Sequence, residues 1–337
     1  KAEIPHVWHV RSFFGSDPEP YAFGGLGLDV ATQAKILYSI SDGLLSVSAA
    51  AAHVFAEAKI PFDVIHNPIN VDRMNLLACE KNCDLREELG LARGTPLVVS
   101  IARFSPEKDL PTFIDMCSRI HTARPEVHYL SIGDMRSDPS VAPVVLQLIA
   151  DHGIQGHMHL LGERSNLPGM YPQFDLVVVT STQEGLSNVV LEAMSLAVPI
   201  VATRSGGPEL LIQHGQTGLL VPVRDSEALA AASLSLLADS ARAKVLGKAA
   251  QEHARQNFSE REHYAALLQF YERVLKNFDA PRQRQRRQLA DALLAVSYPC
   301  ADMFLKTEGS TSKLTNTFIE RVKAFCRKLI GRMRVWS

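Results

Sequence analysis

Between residues 97 and 221, short and almost continuously apolar runs alternate with longer segments that have the length and polarity of helices. An apolar run of four to six residues is typical of a strand buried on both faces of a parallel sheet. Regular alternation of such strands with helices indicates a doubly wound α/β fold, in which ligands bind beyond the carboxyl ends of the strands. The predicted strands are Leu97–Ala102, His128–Ile132, His159–Leu161, Leu176–Val179, Ile200–Thr203 and Leu219–Val221.

Length and composition exclude several classes of protein. The chain has 337 residues, of which 46% are hydrophobic and 21% charged, so we expect a packed globular protein of two domains with an extension. The net charge is −1 and the main body has no basic surplus, which argues against nucleic acid as a partner. Five scattered cysteines predict free thiols in a reducing, cytoplasmic compartment rather than a zinc site. No apolar run approaches the length of a membrane span.

The segment that follows the strand Leu176–Val179 carries the strongest functional signal. It reads EGLSNVVLEAMS from Glu184 to Ser195, with a polar turn and then a largely apolar helix that begins near Asn188. The N-terminus of such a helix offers free N–H groups and positive potential, which suit a phosphate. Glu192 lies one turn further, about 6 Å along the helix axis, within reach of a sugar hydroxyl attached to that phosphate.

A second polar segment, IARFSPEKDL, follows the first strand of this series. Arg103 stands just after the strand, and Lys108 precedes a helix that is predicted to begin near Asp109–Pro111. A guanidinium fork and an ammonium point charge form a pair suited to a diphosphate. The alternative is that both cations form surface ion pairs, that Glu184 is a solvated loop residue and that Glu192 pairs with a nearby arginine.

The two glutamates, with seven residues between them, and the PEK loop resemble the signature of the retaining family-4 (group 1) glycosyltransferases. The resemblance implies that Glu184 contacts the transferred sugar, that Glu192 holds the ribose hydroxyls of the nucleotide, and that Arg103 and Lys108 neutralise the donor diphosphate. Ala102 and Asp109 stand where the family usually has glycines, so we expect a stiffer loop. The other residues assigned to donor binding are Gly185, Leu186, Ser187 and Asn188, with Gly162, Glu163, Arg164 and Ser165 as the loop that reads the base.

The resemblance covers the chain from Lys1 to about Asn277 and implies an α/β fold of the GT-B type, with two facing Rossmann-like domains that contain parallel sheets. Several strand–helix units of the first domain are missing, so we expect an incomplete N-terminal domain, which puts the activity of this fragment in question. The expected divisions are an acceptor-side domain (1–93), a nucleotide-sugar-binding domain (94–258), a helix that crosses back to the first domain (259–279) and a basic helical tail (280–337).

Three further segments complete the sequence-based predictions. In VWHVR, Arg11 stands where the family commonly places an essential histidine; we expect His9 to be a core or supporting histidine and keep it as a catalytic candidate, with Arg11 as a substitute cation. In Gly206-Gly207-Pro208-Glu209, we expect Glu209 to complement the N-terminus of the next helix. In the HNPIN segment, Asn70 stands where the family commonly has Asp.

The tail has a basic run from Arg282 to Arg287 and a later stretch of basic residues interleaved with apolar ones at helical spacing. This pattern is typical of an amphipathic helix that binds an anionic membrane surface, here residues 313–337. Such a helix would hold the protein at the cytoplasmic membrane face. Docking of the tail on the protein's own body remains the alternative. The apolar positions are Ile319, Val322, Phe325, Leu329, Ile330, Met333 and Trp336.

The predicted reaction is transfer of a sugar from a nucleoside diphosphate sugar, UDP- or GDP-linked, to a glycan or lipid-linked acceptor with retention of configuration. Retention follows from the resemblance alone. No cofactor is expected, and because no Asp-x-Asp motif is placed to hold a diphosphate, we predict that activity does not depend on a metal. Two alternatives remain open: a sugar-nucleotide epimerase on the same architecture, and an inactive protein that binds nucleotide sugars.

Overall fold

The computed structural model describes residues 5–11, 29–80 and 84–278. It divides the chain into two compact units, one formed by residues 1–64 with 269–337 and the other by residues 65–268. The predicted tail helix, and with it the predicted membrane surface at 313–337, lies outside the described residues. Within those residues, no helix combines the length and apolar character that crossing a membrane requires.

The first unit contains a three-stranded parallel sheet in the order β1-β2-β3, with Val7 of the first strand opposite Gly43 of the second. Gly43 allows the helix Glu260–Lys276 to pack closely against this sheet. A Cβ at Gly43 would lie 2.8 Å from Val274 and 2.9 Å from Phe270. The elements of its first part are β1 (Val7–Val10), α1 (Val30–Ser39), β2 (Gly43–Ser46), α2 (His53–Glu57) and β3 (Asp63–Val64).

The second unit is a doubly wound α/β domain whose strands agree with the predicted ones to within one residue at each end. Short 3₁₀ turns occupy Pro106–Lys108 and Tyr171–Gln173. The elements are α3 (Val71–Cys79), α4 (Leu85–Glu88), β4 (Leu97–Ile101), α5 (Leu110–Ala123), β5 (His128–Ile132), α6 (Val141–Asp151), β6 (Met158–Gly162), α7 (Leu167–Met170), β7 (Leu176–Val179), α8 (Asn188–Ser195), β8 (Ile200–Thr203), α9 (Gly207–Leu211), β9 (Leu219–Val221), α10 (Ser226–Ala238), α11 (Ser240–Asn257) and α12 (Glu260–Lys276).

The six parallel strands of the second unit are arranged in the order β6-β5-β4-β7-β8-β9. From β4 the chain moves outward in one direction to β6, and from β7 it moves outward in the other direction to β9. The direction therefore reverses between β4 and β7, which pair directly through Val98 and Leu176. In an open α/β sheet the crevice beyond the carboxyl ends of two such strands is where ligands bind.

Residues 65–93 belong to the second unit, so the compact units divide after Val64 rather than after residue 93 as the sequence had suggested. The physical reason is a set of contacts near α4. The Leu85 amide donates to Gln173 at 2.7 Å, and the Arg86 guanidinium binds Asp175 at 2.9 Å. These bonds attach the segment to the loop before β7.

Helix α12 is amphipathic, and its buried face is narrow. Phe270 and Val274 are 2% and 5% exposed, whereas Tyr271 is 44% exposed and does not share their face. The Arg273 guanidinium binds the Asp63 carboxylate at 2.5 Å. Because the helix contributes residues up to Leu268 to one unit and residues from Gln269 to the other, a single helix joins both units.

Four histidines meet at the amino ends of β5 and β6, on the opposite edge of the sheet from the switch point. Nδ1 of His128 lies 2.9 Å from Nε2 of His159, and the rings of His121 and His157 are 4.2 Å apart between centroids. Burial and the three neighbouring imidazoles lower the pKa of His128 to about 4. The pKa values of His121 and His159 are also lowered by burial and by His157.

Candidate functional site

The polar segments after β4 and β7 meet at the switch point through backbone hydrogen bonds. Thr182 donates its amide to the Glu107 carbonyl at 2.8 Å, and the Thr180 hydroxyl donates to the Lys108 carbonyl at 2.8 Å. Both contacts fix the backbone of the PEK turn against the loop that carries Glu184. No role could be predicted for Thr180 and Thr182, because a polar residue in a loop has no local pattern that identifies the turn to which it binds.

Lys108 and Glu184, which the sequence placed 76 positions apart, form a direct ion pair. Nζ of Lys108 lies 2.5 Å from Oε1 of Glu184, and the Ser181 hydroxyl donates to the same oxygen at 2.9 Å. Their side chains are only 20% and 13% exposed, so the pair is partly shielded from water. Glu184 is therefore not a solvated loop residue.

A small cavity lies next to this ion pair at the ends of β4 and β7. Its walls combine apolar strand ends with the polar groups of the pair and with the start of α8, so a ligand there would meet both a cation and free helix N–H groups. The lining residues that carry this argument are Ala102, Lys108, Thr180, Ser181, Glu184 and Ser187.

The Glu184 backbone is held by the GGP turn after β8. The Glu184 amide donates to the Ser205 carbonyl at 2.9 Å, and the Gly207 amide donates to the Glu184 carbonyl at 2.7 Å. A Cβ at Gly207 would lie 2.9 Å from the Cα of Leu186, so only glycine permits this approach. Glu209 accepts from the Gly206 amide at 2.8 Å, the helix-capping role that its position suggested.

Arg103 pairs with a carboxylate of its own turn. Its guanidinium donates to Glu107 at 2.8 Å while the Arg103 side chain stays 61% exposed. Burial raises the pKa of Glu107, but hydrogen bonds from Ser105 and Arg103 outweigh this effect, so the pKa is below its ordinary value. The segment from Arg103 to Ser105 is not helical, so the helical rule for residues four apart does not predict this pair.

The first turn of α8 presents backbone donors beside Glu184. Ser187 occupies the N-cap position and is 3% exposed, but its side chain makes no capping hydrogen bond. The preceding Gly185 and Leu186 are buried, and Asn188 is exposed and accepts from the side chain of Asn67 at 2.9 Å. The amides of this turn are therefore not satisfied by the cap residue, as a phosphate-binding helix start requires.

Glu192 projects from α8 towards a buried tyrosine rather than towards an arginine. The Tyr171 hydroxyl donates to Oε2 of Glu192 at 2.8 Å. Burial raises the pKa of Glu192, and the hydrogen bond from Tyr171 opposes that rise. Tyr171 was missed by the sequence reading because nothing local marks a tyrosine in a short turn as the partner of a carboxylate 21 positions later.

The loop predicted to read the base follows β6. Gly162 has a φ of +65°, Glu163 and Ser165 are exposed, and Arg164 donates to Glu88 at 2.5 Å. No hydrogen bond recorded for the described residues joins this loop to Glu184 or Glu192. Its backbone carbonyl at Gly162 accepts instead from the Gly133 amide after β5.

His9 and Arg11 lie in the first compact unit, and both side chains are exposed. Strand alternation buries Val10 and exposes His9, so His9 is not a core histidine, and its supporting role stays a prediction. Among residues 5–11, 29–80 and 84–278, no group of three or more His, Cys, Asp or Glu side chains is arranged to hold a metal ion.

Comparison with solved structures supports the fold class. The structure of Anabaena HepE with UDP and glucose has a TM-score of 0.67 at 24% identity, over 81% of this chain and 72% of that one. Sucrose-phosphate synthase from Thermosynechococcus elongatus has a TM-score of 0.66 at 22% identity, over 81% and 68%. These likenesses confirm the GT-B fold, with the second domain covered and the first represented in part.

Sequence comparison finds similar proteins for part of the chain. Residues 95–239 match the family described as glycosyl transferases group 1. N-acetyl-alpha-D-glucosaminyl L-malate synthase of Bacillus anthracis is 28% identical over 193 residues, which cover 57% of this chain and 49% of that protein. The lipopolysaccharide core biosynthesis glycosyltransferase LpsE of Rhizobium meliloti is 30% identical over 155 residues, 46% of this chain and 43% of its own.

The chain spans about half the length of the curated relatives that it matches. The ion pair of Lys108 and Glu184 lies within residues 95–239, the part of the chain that matches the group 1 glycosyltransferases.

Proposed function

We propose that the chain is part of an enzyme that transfers a sugar from a nucleoside diphosphate sugar to an acceptor hydroxyl. The observation that carries the proposal is the meeting of Lys108 and Glu184 at the switch point, 2.5 Å apart, beside the first turn of α8. A cation, a carboxylate and a helix N-terminus together support binding of a diphosphate and its attached sugar at this edge of the sheet.

Different site residues would bind different parts of the donor. Lys108 and the N-terminal amides of α8 would bind the diphosphate and stabilise the charge that it gains as it leaves. Arg103 would add a second cation by exchanging Glu107 for a phosphate oxygen. Glu184 would hold the hydroxyls of the sugar, and Glu192 those of the ribose.

In the proposed reaction the bond between the anomeric carbon and the phosphate oxygen breaks, and the electron pair leaves with the nucleoside diphosphate. The acceptor oxygen forms the new bond to the anomeric carbon, and its proton passes to the departing phosphate. No protein nucleophile is needed for this sequence of events. Retention of configuration is proposed from the family resemblance, and metal independence from the use of Lys108 and Arg103 as cations.

The donor is tested by calorimetric titration of the chain with UDP and with GDP. UDP is the first choice because a solved relative of the same fold contains UDP and glucose. We expect one of the two nucleotides to bind, and binding to be unchanged by EDTA. Lys108→Ala should abolish it, whereas Lys244→Ala, a change at an exposed position on α11, should not. Absence of binding to both nucleotides would contradict the proposal.

Transfer itself is tested with UDP-glucose and a set of glycan and lipid-linked acceptors, by NMR detection of the product's anomeric configuration. The proposal predicts a product with the donor's configuration and no conversion of the nucleotide sugar alone. Conversion of UDP-glucose without an acceptor would instead indicate an epimerase. Nucleotide binding without either reaction, in a chain extended to the length of its relatives, would indicate an inactive binding protein.

A further inference from the structure

Tyr171 is a buried residue whose hydroxyl binds one carboxylate oxygen of Glu192. Its ring is fully buried and packs against Phe174, with 5.4 Å between ring centroids. The 3₁₀ turn Tyr171–Gln173 directly follows α7 and precedes β7, so the ring is fixed by the core on both sides. A buried tyrosine with a fixed ring can present its hydroxyl in only one direction, and here that direction is towards α8.

The Glu192 carboxylate is held asymmetrically as a result. Oε2 accepts from the Tyr171 hydroxyl at 2.8 Å. No hydrogen bond recorded for the described residues involves the other oxygen, Oε1. On the same helix, the Ser195 hydroxyl donates to the backbone carbonyl of Glu192 at 2.7 Å and not to its carboxylate. One oxygen is therefore anchored and the other remains to accept from a ligand.

We infer that Tyr171 is a positioning residue for nucleotide binding: it fixes one oxygen of Glu192 so that the other accepts from the ribose hydroxyls. The inference rests on the proposed function, because it assigns a ribose to Glu192. It goes beyond that function by naming a residue that does not touch the ligand and by predicting which part of the nucleotide its loss affects.

Tyr171 also keeps Glu192 in the ionised form that accepts hydrogen bonds. Burial raises the pKa of Glu192, and the donated hydrogen bond opposes that rise. Without the hydroxyl, the carboxylate takes up a proton at a higher pH. A protonated Glu192 loses acceptor capacity, so nucleotide affinity should begin to fall at a higher pH when Tyr171 is replaced by phenylalanine.

The chain provides a matched control in Tyr129. Tyr129 is also fully buried in this unit, and its hydroxyl has no hydrogen-bond partner among the described residues. Tyr129→Phe therefore removes the same atom from a similar environment without altering Glu192. Any effect of Tyr171→Phe that Tyr129→Phe shares is an effect of the core rather than of positioning.

The test measures calorimetric binding of a nucleoside diphosphate and of its 2′,3′-dideoxy analogue to the full chain and to both variants, with UDP or GDP chosen by what the unaltered chain binds. Tyr171→Phe should weaken binding of the normal nucleotide about tenfold, the scale of a lost hydrogen bond to a charged group. Binding of the dideoxy analogue should change less than about twofold. Tyr129→Phe should leave both affinities unchanged, and the fall in affinity at acidic pH should start higher for Tyr171→Phe only.

Three results would overturn the inference. Equal weakening of both nucleotides by Tyr171→Phe would assign the tyrosine to folding of the domain. Unchanged affinity of Tyr171→Phe for the normal nucleotide would show that Glu192 does not need the Tyr171 hydroxyl to bind it. Absence of nucleotide binding to the unaltered chain would contradict both the proposed function and the inference, whereas the first two results would contradict the inference alone.

Discussion

The ammonium of Lys108 lies 2.5 Å from the Glu184 carboxylate, so the cation expected to bind the donor diphosphate is already neutralised by the residue expected to bind the sugar. A diphosphate that binds beside the first turn of α8 competes with Glu184 for Lys108. If Lys108 then turns to phosphate, Glu184 is released to accept from sugar hydroxyls. Donor binding and preparation of the sugar-binding carboxylate would thus be one event.

The competition gives a prediction for Glu184→Gln. Removing the carboxylate charge leaves Lys108 without its anionic partner, so UDP or GDP should bind about threefold to tenfold more tightly, a gain of about 1 kcal/mol. Calorimetry of nucleotide binding measures this. Glu227→Gln, at an exposed position on α10, is the matched control and should leave the affinity unchanged. Weaker binding by Glu184→Gln would mean that the ion pair chiefly holds the loop in place.

Asp109 provides a prediction about the backbone of the same loop. It precedes α5 with φ +48° and ψ +50°, in the left-handed region that costs most side chains free energy. Its carboxylate compensates by accepting from the Thr112 hydroxyl at 2.7 Å. Asp109→Ala should lower the free energy of unfolding by about 1–2 kcal/mol, whereas Asp109→Gly should change it by less than about 0.5 kcal/mol.

Urea unfolding of both variants against the unaltered chain measures this difference. The glycine is expected to be tolerated because it adopts this conformation without strain, although it loses the bond to Thr112. An alanine variant as stable as the glycine variant would show that the left-handed conformation at this position contributes little to the stability of the domain.

Asn70 explains a departure from the family pattern and yields a further prediction. Its side-chain oxygen caps α3 by accepting from the Arg73 amide at 2.9 Å, and its side-chain nitrogen donates to Glu260 at 2.8 Å. An aspartate would cap the helix equally well but would face Glu260 with a like charge. Asn70→Asp should therefore lower the free energy of unfolding by about 1–2 kcal/mol at pH 7.

A double variant separates this repulsion from other effects. Asn70→Asp combined with Glu260→Gln restores a donor opposite the carboxylate, so it should recover most of the stability lost in the single variant. Urea unfolding at pH 7 gives both values. If the double variant stays as unstable as the sum of the two single changes, the contact between residues 70 and 260 does not set the choice of asparagine.

The histidine cluster predicts how stability depends on pH. The pKa of His128 in the folded chain is about 4, below the ordinary value near 6.5 because of burial and the imidazoles of His157, His159 and His121. Between these values the unfolded chain binds more protons, so the free energy of unfolding falls as pH decreases from about 6.5 to 4. We expect a loss on the order of 1–2 kcal/mol from His128, after allowance for solvent screening.

Urea unfolding at pH 7 and at pH 4.5 measures this loss, with His128→Gln as the informative variant. Glutamine retains a hydrogen-bonding side chain but does not titrate, so its stability should fall less over the same interval. His152→Gln is the control, because His152 binds Asp115 at 2.7 Å outside the cluster. An identical pH dependence in the unaltered chain and in His128→Gln would contradict the prediction.

The strands of the second unit could be predicted nearly to the residue because each is a buried run with few polar interruptions. Leu176–Val179, for example, is apolar throughout and fully buried. The same argument locates the site, since the carboxyl ends of the strands follow from the strand positions. The start of α8 near Asn188 was also predictable, because a serine before an apolar run is a common helix start.

The contacts between the site residues could not be predicted from the sequence. The contact between Lys108 and Glu184 depends on β4 and β7 being neighbours, which the order of strands along the chain does not reveal. The bond from Tyr171 to Glu192 depends on how two short helices pack. The exposure of His9 depends on which face of β1 is covered, and a strand of four residues with apolar neighbours on both sides leaves that undecided.

Helix α12 has a consequence for how the chain is made. The second unit is continuous in sequence, whereas the first needs both residues before 65 and residues after 268. During synthesis the strands around Gly43 cannot pack against Phe270 and Val274 until these are translated about 230 residues later. At ordinary elongation rates this delay is on the order of 10–50 s. Until then Gly43 lacks the two side chains that pack against it in the folded unit, so folding of the first unit cannot be completed before the end of α12 is made.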